Sequence, residues 1–356
     1  MEHREFVAGL LGGLVILAVL GLGVGWESLL GHVLAADGPT VVLLFAASSL
    51  SVGSYAAGTY VLVRAVPGAP DAGRFVPIYL AGVFLKQAVP LGNAGGPAIF
   101  AYVISRYSDA AVERTLLATT VVAVLSFVAS VLVAGGGFVA VALTRPLPMW
   151  LLRFASVLAL GVAAAVAVLV GLALDPSGLE GTIRRLAAVL RRWLGPYSSR
   201  LDAALAPAVV DARLARAVET GEALAAAPRA VGLSFCLSLS GWLAMVATFS
   251  LSLVAVGLAP DPAVTALAVP ASGVATVLPV PGGIGGIEAT LSGLVALLSS
   301  AEAGALGAAI VLFRIATFWF RLALGGVAGL LTLGRLGVGD DAMATIEGAR
   351  EYADEG

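Results

Sequence analysis

Five stretches of the chain run for twenty or more residues without a charge: Phe6 to Trp26, Val41 to Val63, Thr115 to Thr144, Phe154 to Leu174 and Ala230 to Pro260. Each reaches the roughly 20 residues that a helix needs to cross a hydrocarbon core. Lipid offers backbone amides no partner, so segments of this kind fold as helices. The composition agrees: 60% of the 356 residues are hydrophobic and only 12% are charged, half the share usual in soluble domains. The first stretch comes after His3 and Arg4. It is longer than a signal-peptide core and has no small-residue cleavage pattern, so it reads as a retained helix.

Two further segments are apolar but broken. Between Arg74 and Arg114, VFLKQAVPLGNAGGPAIFAYVISR is interrupted from Pro90 to Pro97; between Asp261 and Glu302, VATVLPVPGGIGGIEATLSGLVALL is interrupted from Pro279 to Gly286. Proline removes a helical donor and collides with the preceding turn, so no continuous helix passes either break. Both place a proline four or five residues before a Gly-Gly pair, Pro90 before Gly95 and Gly96, Pro281 before Gly285 and Gly286. The two breaks read as counterparts in an internal repeat.

The arginines decide between hairpins and full crossings. If both broken segments are re-entrant and the N-terminus is cytoplasmic, then Arg64, Arg74, Arg106, Arg114, the 175–229 loop with its eight arginines, Arg335 and Arg350 all face the cytoplasm, as the positive-inside rule asks. Arg145 and Arg153 are left on the outer side. Full crossings would move the loop outside. The expected fold is therefore an all-α polytopic membrane protein of the cell membrane, with about six full transmembrane helices and two oppositely oriented re-entrant hairpins, residues 75–106 and 262–300. The membrane halves are 1–174 and 230–334; 175–229 is a cytoplasmic linker and 335–356 an acidic cytoplasmic tail. Inverted repeats of this kind bring hairpin tips together near the midplane, where transporters hold substrate.

Within the linker, GTIRRLAAVLRRWLG places Ile183, Leu186, Leu190, Trp193 and Leu194 along one helical face and adds four arginines, Arg184, Arg185, Arg191 and Arg192, that would meet anionic headgroups. It reads as an interfacial helix on anionic headgroups, or as a charged connector packed on neighbouring loops.

Ionisable groups at membrane depth are costly and so are functional candidates. Four qualify: Lys86, the chain's sole lysine, with Glu288, Arg314 and Arg321. Lys86 and Glu288 sit near the hairpin tips, and Arg314 and Arg321, seven apart, are expected to share a helical face. One carboxylate against three cations leaves an excess of positive charge that an anion would complete. Pro97 suits a first helical turn, and the amides around Gly95, Gly96, Gly285 and Gly286 can face a phosphate. Gln87 and Asn93 join this substrate site; Pro90, Pro97, Pro279, Pro281, Gly282 and Gly283 make the hairpin breaks. Other roles stay open: Glu288 serving its own helix N-terminus or an ion pair with Arg314, and Lys86 and Arg321 snorkelling toward an interface.

Metal and cofactor chemistry is not expected from one cysteine, Cys236, and two histidines, His3 and His32, outside the spans. The sequence has no Walker A motif, nucleophile elbow or H-E-x-x-H, so an enzyme is not expected, and a net charge of −2 gives no reason to expect nucleic acid.

PLGNAGGPAIFAYVISR, PVPGGIGGIEA and FRIATFWFR together resemble a flippase-like membrane family that includes the transmembrane region of lysylphosphatidylglycerol synthases. The resemblance covers most of the chain. It implies lipid translocation, since family members are associated with moving lysylated phospholipids between leaflets or with lipid-linked glycan assembly that includes polyprenyl-phosphate sugars, alongside lipid-modifying or glycosylation enzymes as partners. It points to Pro90, Gly95, Gly96, Pro281, Gly282, Gly283, Gly285, Glu288 and Arg314. Two positions depart from the family pattern: Ile287 stands where an arginine is frequent, and Arg321 lies near a usual proline. The bifunctional synthases carry a soluble aminoacyl-transfer domain after their helices, and none is found before Gly356, so synthase activity is not expected. Three functions remain in view: a flippase for an anionic lipid, a secondary transporter of a small anion with Glu288 coupling protons, and a non-transporting partner of lipid-modifying enzymes.

Overall fold

The computed structural model describes residues 26–88, 95–145, 206–277 and 281–335, with isolated positions between 149 and 192. Eleven helices occur in order among them: α1 Trp26–Leu34, α2 Gly38–Val63, α3 Ala72–Ala88, α4 Gly96–Arg106, α5 Val112–Thr144, α6 Pro207–Ala225, α7 Pro228–Ala255, α8 Pro262–Ser272, α9 Gly286–Leu298, α10 Ala303–Arg314 and α11 Phe320–Arg335. Short 3-10 turns occupy Gly273–Val277 and Pro281–Gly283, and a π-helical turn, Ile315–Trp319, joins α10 to α11. There is no strand among the described residues.

Local chemistry sets the helix starts. Asp37 caps α2 by accepting from the Thr40 amide, Asp261 caps α8 from the amides of Ala263 and Val264, and Glu302 caps α10 from those of Gly304 and Ala305. Each carboxylate satisfies amides that a helix N-terminus leaves unpaired. Proline at the first positions of α6, α7 and α8 gives up only donors that would be orphaned anyway.

Four helical stretches are long and apolar enough to cross a membrane: Gly38–Val63, Val112–Thr144, Pro228–Ala255 and Ala303–Leu331. They correspond to four of the six spans expected from sequence. The other two, Phe6 to Trp26 and Phe154 to Leu174, fall almost wholly outside the described residues. The bundle is apolar outward and locally polar inward. Leu43, Leu50, Leu132, Leu143, Leu243 and Leu330 are exposed, whereas Ser48, Ser51, Thr59, Ser234, Ser238 and Ser252 are buried. The chain is a membrane protein, and small polar residues between its helices allow close approach and hydrogen bonding.

Both broken segments leave and return at one place. Gly68, before α3, lies so close to Asp109 after α4 that an added Cβ would stand 2.5 Å from the Asp109 carbonyl. Its φ of +80° also suits glycine. Along the arms the Tyr79 and Phe100 rings stack at 4.9 Å, and Phe100 covers Gly82. At the second segment Arg145 donates both to Leu298 O, at the end of α9, and to Asp261, which opens α8. The first segment is thus based at the start of α5 and the second at its end, 33 helical residues away, a distance of about 50 Å at 1.5 Å per residue.

The packing is reciprocal. α2 lies along α7, α8 packs on α5, and α3 packs on α11. Each of the last two pairs closes on a glycine: a Cβ on Gly137 of α5 would stand 2.5 Å from Leu267 N, and one on Gly325 of α11 would stand 2.5 Å from Leu80 O. Backbone meets backbone at both places. The turn Pro281–Gly283 packs on α3, so the interior end of the second segment touches the first.

The linker contributes α6, which packs on α5 and is held by Arg114 to Glu219 at 2.6 Å. Arg184 pairs with Asp211 of α6 at 2.8 Å, a connector contact. Most of the Arg-rich stretch, and the tail after Arg335, lie outside the described residues.

Candidate functional site

The second break is built from glycine. Gly282, Gly283 and Gly285 have φ of 60°, 63° and 88°, a region that side chains rarely enter. A Cβ on Gly282 would stand 2.0 Å from the Phe318 ring, so this position is closed to other residues twice over. The turn delivers the chain into α9, where Glu288 reaches back and accepts from the Gly285 amide through Oε2 at 2.7 Å. Its Oε1 meets Arg314 Nε at 2.8 Å. Arg314 in turn donates to the carbonyl of Gly282 at 3.0 Å and lies 4.9 Å over the Phe318 ring. Glu288 is 2% exposed and Arg314 7%. Charge and hydrogen bonds are mutually satisfied, as a buried ion pair requires. The pair clasps the break to the last helix.

Arg314 and Arg321, expected from their seven-residue spacing to share a face, meet different partners. The π turn between them adds a residue to the helical cycle, which rotates the remainder of the helix by about 100°, one residue's worth of helix. Arg321 accordingly meets other partners: Ser48 O at 3.5 Å, Ser48 Oγ at 3.4 Å and Met245 Sδ at 3.6 Å. These are long contacts. The Arg321 Nε, buried, has no hydrogen-bond partner among the described residues. Ser48 Oγ donates to the carbonyl of Ala316 inside the π turn, at 2.7 Å.

Around Arg321 stand Tyr55 of α2, Tyr79 of α3 and Arg314, all within electrostatic range. Lys86 is in range too. Near the end of α3, Lys86 runs its alkyl chain past Gly96, where a Cβ would stand 3.8 Å from Lys86 Cδ and Cε. It has no ion pair among the described residues. The buried hydroxyls of Ser51 and Tyr55 face each other, with no other hydrogen-bond partner among those residues.

The remaining candidates frame this region. Gln87 is buried. Gly95 precedes α4 with φ −84°, Gly96 opens that helix, and the Pro97 carbonyl accepts from Thr119 Oγ1 at 2.9 Å. Gly286 opens α9, and Pro281 and Gly283 bound the 3-10 turn. Pro90, Asn93 and Pro279 lie outside the described residues. The structure therefore sets Lys86 within electrostatic range of Arg321, and joins Glu288 to Arg314 and Gly285, and Arg314 to Gly282.

Ser48, Ser51, Tyr55, Tyr79 and Met245 did not emerge from the sequence. A signal for α2 existed: Ser48, Ser51, Tyr55 and Thr59 fall three or four apart inside an apolar span, one polar stripe on a helix otherwise fit for lipid.

The family described as the lysylphosphatidylglycerol synthase TM region matches residues 6–325 of the chain. No curated protein matches it.

Proposed function

We propose, on the premise that this chain belongs to the family of lysylphosphatidylglycerol synthase transmembrane regions, that it carries an anionic, phosphate-bearing lipid between membrane leaflets. The family associates the chain with lipid metabolism or transport. The finer reading is supported by Lys86 and Arg321, two cations on packed helices from different halves of the chain and within electrostatic range of each other, neither paired with a carboxylate among the described residues. Charges this deep are expensive unless an anion completes them. A phosphate does so.

On this reading α3–α4 and α8–α9 are re-entrant hairpins of an inverted repeat, entering from opposite faces of the membrane. Their bases at opposite ends of α5 and the reciprocal pairing of α8 with α5 and α3 with α11 support it. The cytoplasmic face is the end that holds Arg64, Arg74, Arg106 and Arg114, which puts both termini in the cytoplasm. Glu288 and Arg314 hold the second hairpin's inner turn. The headgroup rests at Lys86 and Arg321, the lipid tails stay in the bilayer, and rocking of the halves exposes the site alternately. The chain acts as a transporter and not as an enzyme. Proton coupling at Glu288 has little support, because both carboxylate oxygens are engaged.

The test is leaflet exchange of labelled phospholipid and polyprenyl-phosphate sugar in vesicles holding the purified chain. Exchange should exceed that of protein-free vesicles and fall at least about tenfold in Lys86→Met and Arg321→Met, the loss of roughly 1.4 kcal/mol that one charge-assisted contact supplies. Exchange no faster than in protein-free vesicles would sink the transport reading.

A further inference from the structure

The last rod of the bundle, α10 through α11, is gripped by both broken segments, one on each side of its π turn. Before the turn, Arg314 meets Glu288 at 2.8 Å and the Gly282 carbonyl at 3.0 Å, both in the second segment. Phe318, within the turn, closes over Gly282, where a Cβ would stand 2.0 Å from its ring. After the turn, α11 packs along α3 of the first segment. There a Cβ on Gly325 would stand 2.5 Å from Leu80 O, and one on Gly326 would stand 3.5 Å from the Phe84 ring. Neither grip has slack, since one is a buried ion pair and the other sets backbone on backbone. Movement of one segment against the other has therefore to be taken up between Arg314 and Gly325. That interval holds Ile315–Trp319, where the rod leaves α geometry.

A π turn runs its hydrogen bonds across five residues, as from the Phe320 amide to the Ile315 carbonyl, and helices kink at such turns. This one is tied to a third helix. Ser48 of α2, fully buried, donates from Oγ to the Ala316 carbonyl at 2.7 Å. The same hydroxyl stands 3.4 Å from Arg321 Nη2, so one side chain touches both the turn and the arginine beyond it. The hydroxyl of Thr317, by contrast, bonds inside the rod, to the Phe313 carbonyl at 2.7 Å. We infer that Ile315–Trp319 is the joint through which the two broken segments are coupled, and that Ser48 is the latch that holds its angle and positions Arg321. The joint stands on these contacts; that its movement serves transport rests on the function proposed above. With the latch closed the segments keep the relation seen here. With it open the Ala316 carbonyl loses its tie to α2, and the rod bends at the turn as a hinge does.

Backbone hydrogen exchange of the full chain in micelles tests this, because it separates local from global opening. Ser48→Ala should speed hydrogen exchange at the amides from Ile315 to Arg321 about fivefold, the worth of one hydrogen bond, and change that of α2 and α7 by less than about twofold. Thr317→Val, which deletes a bond made within the rod, should change the turn by less than about twofold. Spin labels at Tyr102→Cys and Leu297→Cys, exposed positions on the two segments, in a background where the free thiol is removed by Cys236→Ser, should show a broader distance distribution in Ser48→Ala than in the parent. Hydrogen exchange that rises equally through α2, α7 and the turn overturns the inference, because Ser48 would then be an ordinary packing residue. So does an unmoved turn, a Thr317→Val effect as large as that of Ser48→Ala, or a label distribution left as narrow as the parent's. A joint that behaves as expected in a chain that moves no lipid keeps this inference and removes the transport reading. Lipid translocation with the turn unmoved does the reverse.

Discussion

Arg314 and Arg321 stand seven residues apart on one helical rod, yet they live differently. Arg314 faces a carboxylate, a carbonyl and an aromatic ring, and its charge is closed within the protein. Arg321 faces a serine and a methionine at long range, with one nitrogen unpartnered among the described residues. Depth in the bilayer is therefore a poor guide to role. What decides is the chemistry opposite each group: the first arginine fixes a turn that prolines and glycines have broken, and the second keeps hydrogen-bonding capacity in reserve.

Removing the partner should separate the two most sharply. Glu288→Ala strands Arg314 as an uncompensated buried charge and should cost about 3–5 kcal/mol, read from denaturant unfolding in micelles. Glu288→Leu with Arg314→Met should recover most of that loss. A single mutant as stable as the parent would mean that the clasp holds nothing. Next in size are the two glycine contacts, Gly137→Ala and Gly325→Ala, each of which sets a Cβ 2.5 Å from backbone. Each should cost about 1–3 kcal/mol by overpacking. A cost at only one of them would break the likeness between the halves. Arg321→Met should alter stability by less than about 1 kcal/mol, because it gives up weak contacts only, while exchange collapses. If it destabilises as Glu288→Ala does, the contrast between the arginines is lost.

The smallest effect is expected at the helix caps outside the bilayer. The amides of Ala305 and Gly304, with His32 nearby, hold the Glu302 carboxyl below its ordinary value of 4.5, and the Thr40 side chain and amide hold Asp37 below 3.8. A lowered folded value means that these caps stabilise the protein at pH above the ordinary one and lose that contribution as pH falls through the lowered one. Glu302→Gln should flatten the acid limb of the stability curve, tracked by thermal midpoint from neutral to strongly acid buffer. An unchanged limb would show that the cap does not matter.

The helical membrane class and the family were legible because lipid permits so little else: long uncharged runs must be helices, and proline with glycine must interrupt them. The helix that opens at Gly96 does so for a reason that Pro97, in its first turn, carries on its face. Which arginine would take Glu288 was not legible. Arg314 and Arg321 have the same spacing logic on an ideal helix, and no residue type announces a π turn in IATFW. Nor did the sequence single out Tyr55 and Ser51, whose significance comes from what lies across the interface. The brace from Arg145 to Asp261 and Leu298 joins residues more than a hundred positions apart, beyond any local pattern.

The π turn also governs the far end of the last helix, which behaves as a screw thread cut with one deliberate change of phase. Everything beyond Trp319 is timed to that change: Arg321 against Ser48, and Gly325 against the backbone of Leu80. Deleting a single residue from Ile315–Trp319 would restore an unbroken thread and turn both contacts away together, by roughly the 100° of one residue. Two features that look independent, an arginine's aim and a glycine's close fit, are thereby set by one local count of residues.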